Sequence, residues 1–286
     1  MRIPRLLQAD LSLLGITLIW GSTFAMIKIS LAQVSPILFI CLRFWVATVL
    51  TVAFMPRSII QISVGTFRKG MVLSVFLLGG FIFQTLGLRG TTPSRSAFIT
   101  SLAVLLVPVL GYFVFHHCPR FRTLAGVVIA TIGLGFLTLS TIPMGFTRGD
   151  FLTLLCAVVF ALHILFIGRY LPECDFRQLV IIQLAGSAVL CTLILPFLET
   201  PFLAWDVTIA TTLFVTGALA TALAFYVQNR AQQYTTPNRT ALIFSLEPFF
   251  ATLFAYLLLG QTMSLKGWAG GGLVLAGILI SEFRRS

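Results

Sequence analysis

Apolar residues fall into ten runs along the chain, 11–31, 37–55, 70–88, 95–115, 124–140, 150–168, 179–197, 207–229, 239–259 and 267–281, separated by short polar or basic connectors. A helix that crosses the hydrocarbon of a bilayer needs about 20 residues. Each run therefore predicts one spanning helix, and the fold class is an all-α membrane protein of ten transmembrane helices. The most polar connector is 169–178, and no linker rich in Pro, Gly or Ser sets off a soluble domain. The basic stretch 1–10 leads into a run too long for a signal peptide and without a small-residue cleavage site, so that run is read as the first membrane helix.

The pattern repeats. An offset of 144 positions lays TTPSRSAF (91–98) on TTPNRTAL (235–242), and the match continues without a gap. It sets Gln84 on Gln228, Ser101 on Ser245, Leu102 on Leu246, Tyr112 on Tyr256, Gly126 on Gly270 and Gly133 on Gly277. The front parts align on Asp10 and Asp150, which places Arg43 opposite Gln183 and Thr23 opposite His163. The chain thus divides into two five-helix repeats, 1–145 and 146–286. Five is odd, so the second repeat enters the membrane upside down relative to the first. Thr92-Pro93 and Thr236-Pro237 open the fourth and ninth helices with an N-cap hydroxyl and a proline in the first turn. Glycines in helices five and ten make flat faces for close packing inside one chain.

Composition agrees with a lipid solvent: 58% of residues are hydrophobic and 9% charged, against about 25% charged in ordinary soluble domains. The net charge of +11 comes from single or paired Lys and Arg between apolar runs, which speaks for basic loops and against nucleic acid. With the N-terminus inside, thirteen of these residues lie on the cytoplasmic side and five outside, with Arg43 within a helix. By the positive-inside rule both termini are cytoplasmic and the protein sits in the cell inner membrane. Five cysteines, an odd number, are expected to be free thiols: Cys41, Cys156 and Cys191 in apolar runs, Cys118 and Cys174 in cytoplasmic loops.

Ionisable groups inside spanning helices are functional candidates by default, and there are three: Arg43, His163 and Glu247. Glu247 is followed by Pro248, which removes a backbone hydrogen bond to Phe244 and is expected to kink the ninth helix beside its acid. Trp20 and Phe24 share one face of the first helix around Gly21, Ser22 and Thr23, an arrangement open to two readings, an aromatic wall or ordinary packing. Gln183 joins the set because it aligns with Arg43. Matching polar positions in the two halves are what a cavity on the repeat interface requires, and the substrate site of inverted-repeat transporters lies there. Helix rise puts Arg43 and Glu247 at similar depth, which predicts that they approach each other. Gln228 and Asn229, near the end of the eighth helix, read as interfacial, as do His116 and His117. No metal-binding pair, nucleophile elbow or phosphate loop occurs, so neither an enzyme nor a cofactor is expected.

The Trp20-Gly21-Ser22-Thr23-Phe24 stretch, the Thr-Thr-Pro openings, Leu246-Glu247-Pro248, Leu258-Leu259-Gly260 and the glycine-rich tenth helix resemble the EamA type of the drug/metabolite transporter superfamily over nearly the whole chain. The resemblance implies an exporter of amino acids or other small metabolites, with helices five and ten apart from a central cavity. The expected function is secondary transport of a small organic, amino-acid-like metabolite by alternating access. Trp20, Thr23, Phe24, Arg43, His163, Gln183 and Glu247 are the candidate substrate-binding residues, and protons are the candidate coupling ion. The alternatives are a lipid-linked metabolite flippase, which needs a lateral opening lined by basic residues, and a non-transporting scaffold, which does not need Glu247. The chain departs from the family pattern at Gln261, where an acid is common.

The orientation is tested by labelling. An impermeant thiol reagent is expected to reach Cys118 and Cys174 only from the cytoplasmic side; labelling of either from the opposite side of intact cells overturns the topology.

Overall fold

The computed structural model describes residues 4–116, 118–138, 147–259 and 265–282. His117, Gly260, Gln261 and the terminal Arg2, Arg284 and Arg285 lie outside the described residues. The described residues form ten helices: α1 (Arg5–Ser30), α2 (Pro36–Phe54), α3 (Val64–Gly90), α4, α5 (Phe121–Thr138), α6 (Arg148–Tyr170), α7 (Phe176–Leu198), α8 (Val207–Gln232), α9 and α10 (Leu265–Glu282). The fourth is broken into α4a (Pro93–Ser101) and α4b (Ala103–Phe115), and the ninth into α9a (Pro237–Phe244) and α9b (Glu247–Leu259). Seven helices, α1 to α4 and α6 to α8, are long and apolar enough to cross a membrane, while α5 and α10 carry shorter apolar stretches. The protein is a multi-pass, all-α membrane protein of two inverted five-helix repeats.

Helix starts follow from local chemistry. Thr92 and Thr236 Oγ1 accept the backbone N–H of Arg95 and Arg239, each at 3.3 Å, so the predicted caps form in both halves. Thr147 and Asp150 make a reciprocal capping box at α6, with Asp150 N donating to Thr147 Oγ1 at 3.1 Å and Thr147 N donating to Asp150 Oδ2 at 2.7 Å. Asp206 caps α8 by accepting the Ile209 N–H at 2.7 Å and also accepts from the Gln33 amide at 2.9 Å. That backbone N–H in particular holds the Asp206 carboxyl below the usual carboxylate range. Around it the two halves are stitched on the face where α2 begins: Val34 and Leu203 form an isolated antiparallel bridge, and Leu38 N donates to Glu199 Oε1 at 2.8 Å.

The kink expected at Pro248 takes a different form. Both α4 and α9 break at repeat-equivalent positions, where Leu102 N and Leu246 N turn to carbonyls three residues back, Ile99 and Ile243, each at 3.1 Å. In the first half Val104 stands where the second has Pro248. The break therefore belongs to the duplicated backbone, and the proline is one local adaptation to it.

Packing also exchanges between the halves. The core made by α2, α3, α7 and α8 includes Phe44, Leu77, Phe81, Leu184, Ala188 and Phe225. Away from it α5 crosses α10 on glycines. A Cβ on Gly277 would lie 2.5 Å from the Gly126 carbonyl oxygen, and one on Gly133 would lie 2.6 Å from that of Gly270. These are the same two aligned pairs with partners swapped, as a pseudo-twofold axis requires.

Gly272, on the same α10, has open space where its Cβ would be. Gly133→Leu and Gly277→Leu are expected to lower the thermal midpoint in detergent by several degrees, from overpacking worth about 1–3 kcal/mol, while Gly272→Leu leaves it nearly unchanged. Equal effects at all three positions would remove the glycine crossing as the cause.

Candidate functional site

A cavity holding about 830 Å³ of empty space, counted out to its mouth, lies where α1, α3, α4, α6, α8 and α9 meet, with Arg43 as the sole contribution of α2. Among the described residues, none of α5, α7 or α10 lines it. Its wall is aromatic: Trp20, Phe24, Phe81, Phe160, Phe225 and Phe244. Trp20 sits edge-on to Phe244 with centroids 4.9 Å apart and tilts against Phe225 at 5.8 Å. Gly21 explains how Trp20 reaches this place. A Cβ there would lie 2.8 Å from Phe250 Cβ and 2.9 Å from the Glu247 carbonyl oxygen, so only glycine lets α1 approach the start of α9b this closely.

Arg43 is held by an unusual backbone. Nε donates to Thr221 Oγ1 at 2.6 Å and Nη2 to the Ala220 carbonyl at 3.2 Å, and the guanidinium lies 4.3 Å over the Phe81 ring. Thr221 and Ala220 belong to a π-helical stretch, Val215–Leu223, in the middle of α8. The Ala220 carbonyl also accepts the Trp20 indole N–H at 2.8 Å. The wider π turn releases carbonyls that an α-helix keeps in its own ladder, and here they receive the guanidinium and the indole. Gly217 lets α2 lie close to this stretch, since a Cβ there would be 2.7 Å from Val46 Cγ1.

The predicted approach of Arg43 and Glu247 takes a corrected form. Both line the cavity and are buried, with relative exposures of 2% and 7%, but no ion pair joins them among the described residues. Helix rise placed their backbones at matching depth; the π-helical carbonyl and hydroxyl supply Arg43 with closer partners.

His163 lines the cavity, edge-on to Phe225, and its Nε2 lies 2.8 Å from Gln183 Oε1. Which of the two groups donates depends on the His163 tautomer. Gln183 stands outside the lining, fully buried behind His163, and bears on the cavity through that ring. Trp20, Thr23, Phe24, Arg43, His163 and Glu247 are brought together around one cavity; Gln183 lies behind His163.

Sequence reasoning missed Gln84, Gln228, Ser101 and Ser245, all lining residues. Gln228 is 1% exposed, not interfacial, and Asn229 beside it is buried with Nδ2 donating to the Phe225 carbonyl at 2.8 Å. A signal for them was present, because Gln84 aligns with Gln228 and Ser101 with Ser245 at the 144-residue offset. Ser101 Oγ and Gln228 Oε1 are buried and have no protein partner among the described residues. The cavity thus offers one cation, one carboxylate, a histidine and unpaired hydrogen-bonding groups in an aromatic enclosure.

Two double-mutant cycles on thermal stability separate the pairings. Arg43→Gln with Thr221→Val is expected to show coupling of about 0.5–3 kcal/mol, whereas Arg43→Gln with Glu247→Gln adds to within about 0.5 kcal/mol. The reverse order would restore a direct Arg43–Glu247 pair.

Comparison with known proteins gives a consistent picture. The model of the EamA-like transporter family matches twice, over residues 7–139 and 147–283. A protein of Archaeoglobus fulgidus described as an uncharacterized transporter is 33% identical, over 97% of this chain and 87% of its own length. A probable amino-acid metabolite efflux pump of Salmonella typhimurium is 25% identical, over 94% and 92%. A solved crystal structure shares the fold with a TM-score of 0.79 at 19% identity, covering 96% of both chains.

Proposed function

Because the chain belongs to the EamA-like transporter family and is a transporter, not an enzyme, we propose that it exports a small zwitterionic metabolite with an apolar side chain by alternating access around the aromatic cavity. The observation that carries this reading is that Arg43 and Glu247 line one cavity without pairing with each other. A guanidinium and a carboxyl group that do not pair with each other in a low-dielectric enclosure each interact more strongly with a charged ligand than in water. An α-amino acid presents a carboxylate to Arg43 and an ammonium to Glu247, and its side chain meets Phe24, Phe81 and Phe160. Ser101 and Gln228 supply the remaining polar contacts. Between substrates Glu247 takes a proton, which makes protons the coupling ion. Export agrees with the efflux pump among its relatives, and the positive-inside count supports the cytoplasmic membrane with both termini inside.

Counterflow in proteoliposomes tests the substrate class. Arg43→Gln and Glu247→Gln are each expected to cut exchange of a labelled apolar amino acid by about tenfold or more, the order of a lost charge-assisted hydrogen bond. N-acetylated and methyl-esterified forms should fail to compete. Competition by both blocked forms as effective as by the parent compound rules out zwitterion recognition.

A further inference from the structure

Two ion pairs bridge the halves, and they are copies of each other. Arg239 forks onto Asp10, its Nε donating to Oδ1 at 2.8 Å and its Nη2 reaching Oδ2. Arg95 Nη2 reaches Asp150 Oδ2 at 2.8 Å. The arginines are related by the 144-residue offset and the aspartates by the alignment of the front parts. Each arginine sits in the first turn of a helix that opens at a Thr-Pro cap, and each aspartate near the start of a helix of the other half. The first pair lies on the face where α1 begins, the second on the far face. None of the four residues belongs to the cavity lining.

Further along, these same helices line the cavity: α1 with Thr23 and α9a with Phe244 above the first pair, α6 with His163 and α4a with Ser101 above the second. The arginine-bearing segments are short, nine and eight residues, and each ends at the break at Leu102 or Leu246. A short segment hinged at one end and tied by an ion pair at the other is poised to swing. Separating α1 from α9a would uncover the cavity on the N-terminal face, and separating α6 from α4a would uncover it on the far face.

We propose that Asp10–Arg239 and Arg95–Asp150 are the two latches of the transport cycle, each broken for the cavity to open fully on its own face. This rests on alternating access about the same cavity. Both pairs are formed in the structure, and they differ in strength. Asp150 is fully buried and also accepts the Thr91 hydroxyl from the first half at 2.8 Å, whereas Asp10 and Arg239 are partly exposed. The far-face latch is therefore the tighter one.

The experiment reads cavity accessibility from each face. A Ser101→Cys reporter, in a background with Cys118→Ser and Cys174→Ser, is reconstituted in oriented proteoliposomes and exposed to an impermeant maleimide on one side at a time. Arg239→Gln is expected to raise labelling from the N-terminal face by about fivefold, the order of a partly buried pair, and to lower it from the far face. Arg95→Gln moves both in the opposite sense and by less, because Thr91 still holds Asp150. Should Arg239→Gln yield too little protein, Arg239→Lys, which keeps the charge without the fork, is expected to move labelling the same way. Combining Asp10→Arg with Arg239→Asp rebuilds the pair and should return labelling to the level of the reporter protein. Shifts in the same direction for both latches, no shift, or no return on swapping would make the pairs permanent staples and end the proposal. A reporter that reacts from one face only in every variant removes alternating access itself, and the latches with it.

Discussion

A guanidinium within hydrocarbon has several N–H donors, and an ordinary α-helix keeps its own carbonyls occupied. Left without partners at depth, Arg43 would cost on the order of 3 kcal/mol by insertion scales. The π-helical stretch in α8 answers that demand, offering the Ala220 carbonyl and the Thr221 hydroxyl. Much else depends on this arrangement. Trp20 is anchored on the same carbonyl, the Phe81 ring lies under the guanidinium, and α2 comes close enough only because Gly217 has no side chain. With Arg43 bound in this way, Glu247 lies in the same cavity without an ion-pair partner among the described residues.

The second constraint is the duplication. Two halves of one ancestral unit facing each other upside down meet with equivalent surfaces exchanged: Gly133 against Gly270 and Gly277 against Gly126, Asp10 with Arg239 and Asp150 with Arg95. In transporters built on inverted repeats, halves related in this way rock against each other about a fixed site.

Much of this was legible in the residues. Spanning helices leave a long apolar signal, and both the ten runs and the 144-residue repeat could be read directly. Arg43, His163, Glu247 and the Trp20–Phe24 stretch stood out because charge and bulk are rare or patterned there. Gln228 was misread because polarity near a helix end has an easy interfacial explanation, and only the alignment with Gln84 argued otherwise. The π-helical stretch was illegible: Val215–Leu223 contains nothing but small and apolar residues, and the arginine it receives lies 178 positions from Thr221. Gln183 was found by alignment with Arg43, yet it serves from behind His163, because equivalent positions share a depth without sharing a neighbour. The aromatic wall was hidden by number, with 27 phenylalanines in the chain.

Symmetry and asymmetry divide the work between frame and site. The elements that repeat are mechanical: the Thr-Pro caps, the breaks at Leu102 and Leu246, the glycine crossings and the cross-half ion pairs. The charged groups in the cavity do not repeat. Arg43 faces Gln183 in the alignment, His163 faces Thr23, and Glu247 stands where the first half has Ala103. A strictly symmetric site would hold two arginines and two glutamates around one pseudo-twofold axis and would present the same charges toward both faces. With Gln183 and Ala103 at the aligned positions, the cavity that both halves enclose has a single arginine and a single glutamate in its lining. A transporter on an inverted repeat needs this division, because its two openings must be alike while its substrate binds in one orientation.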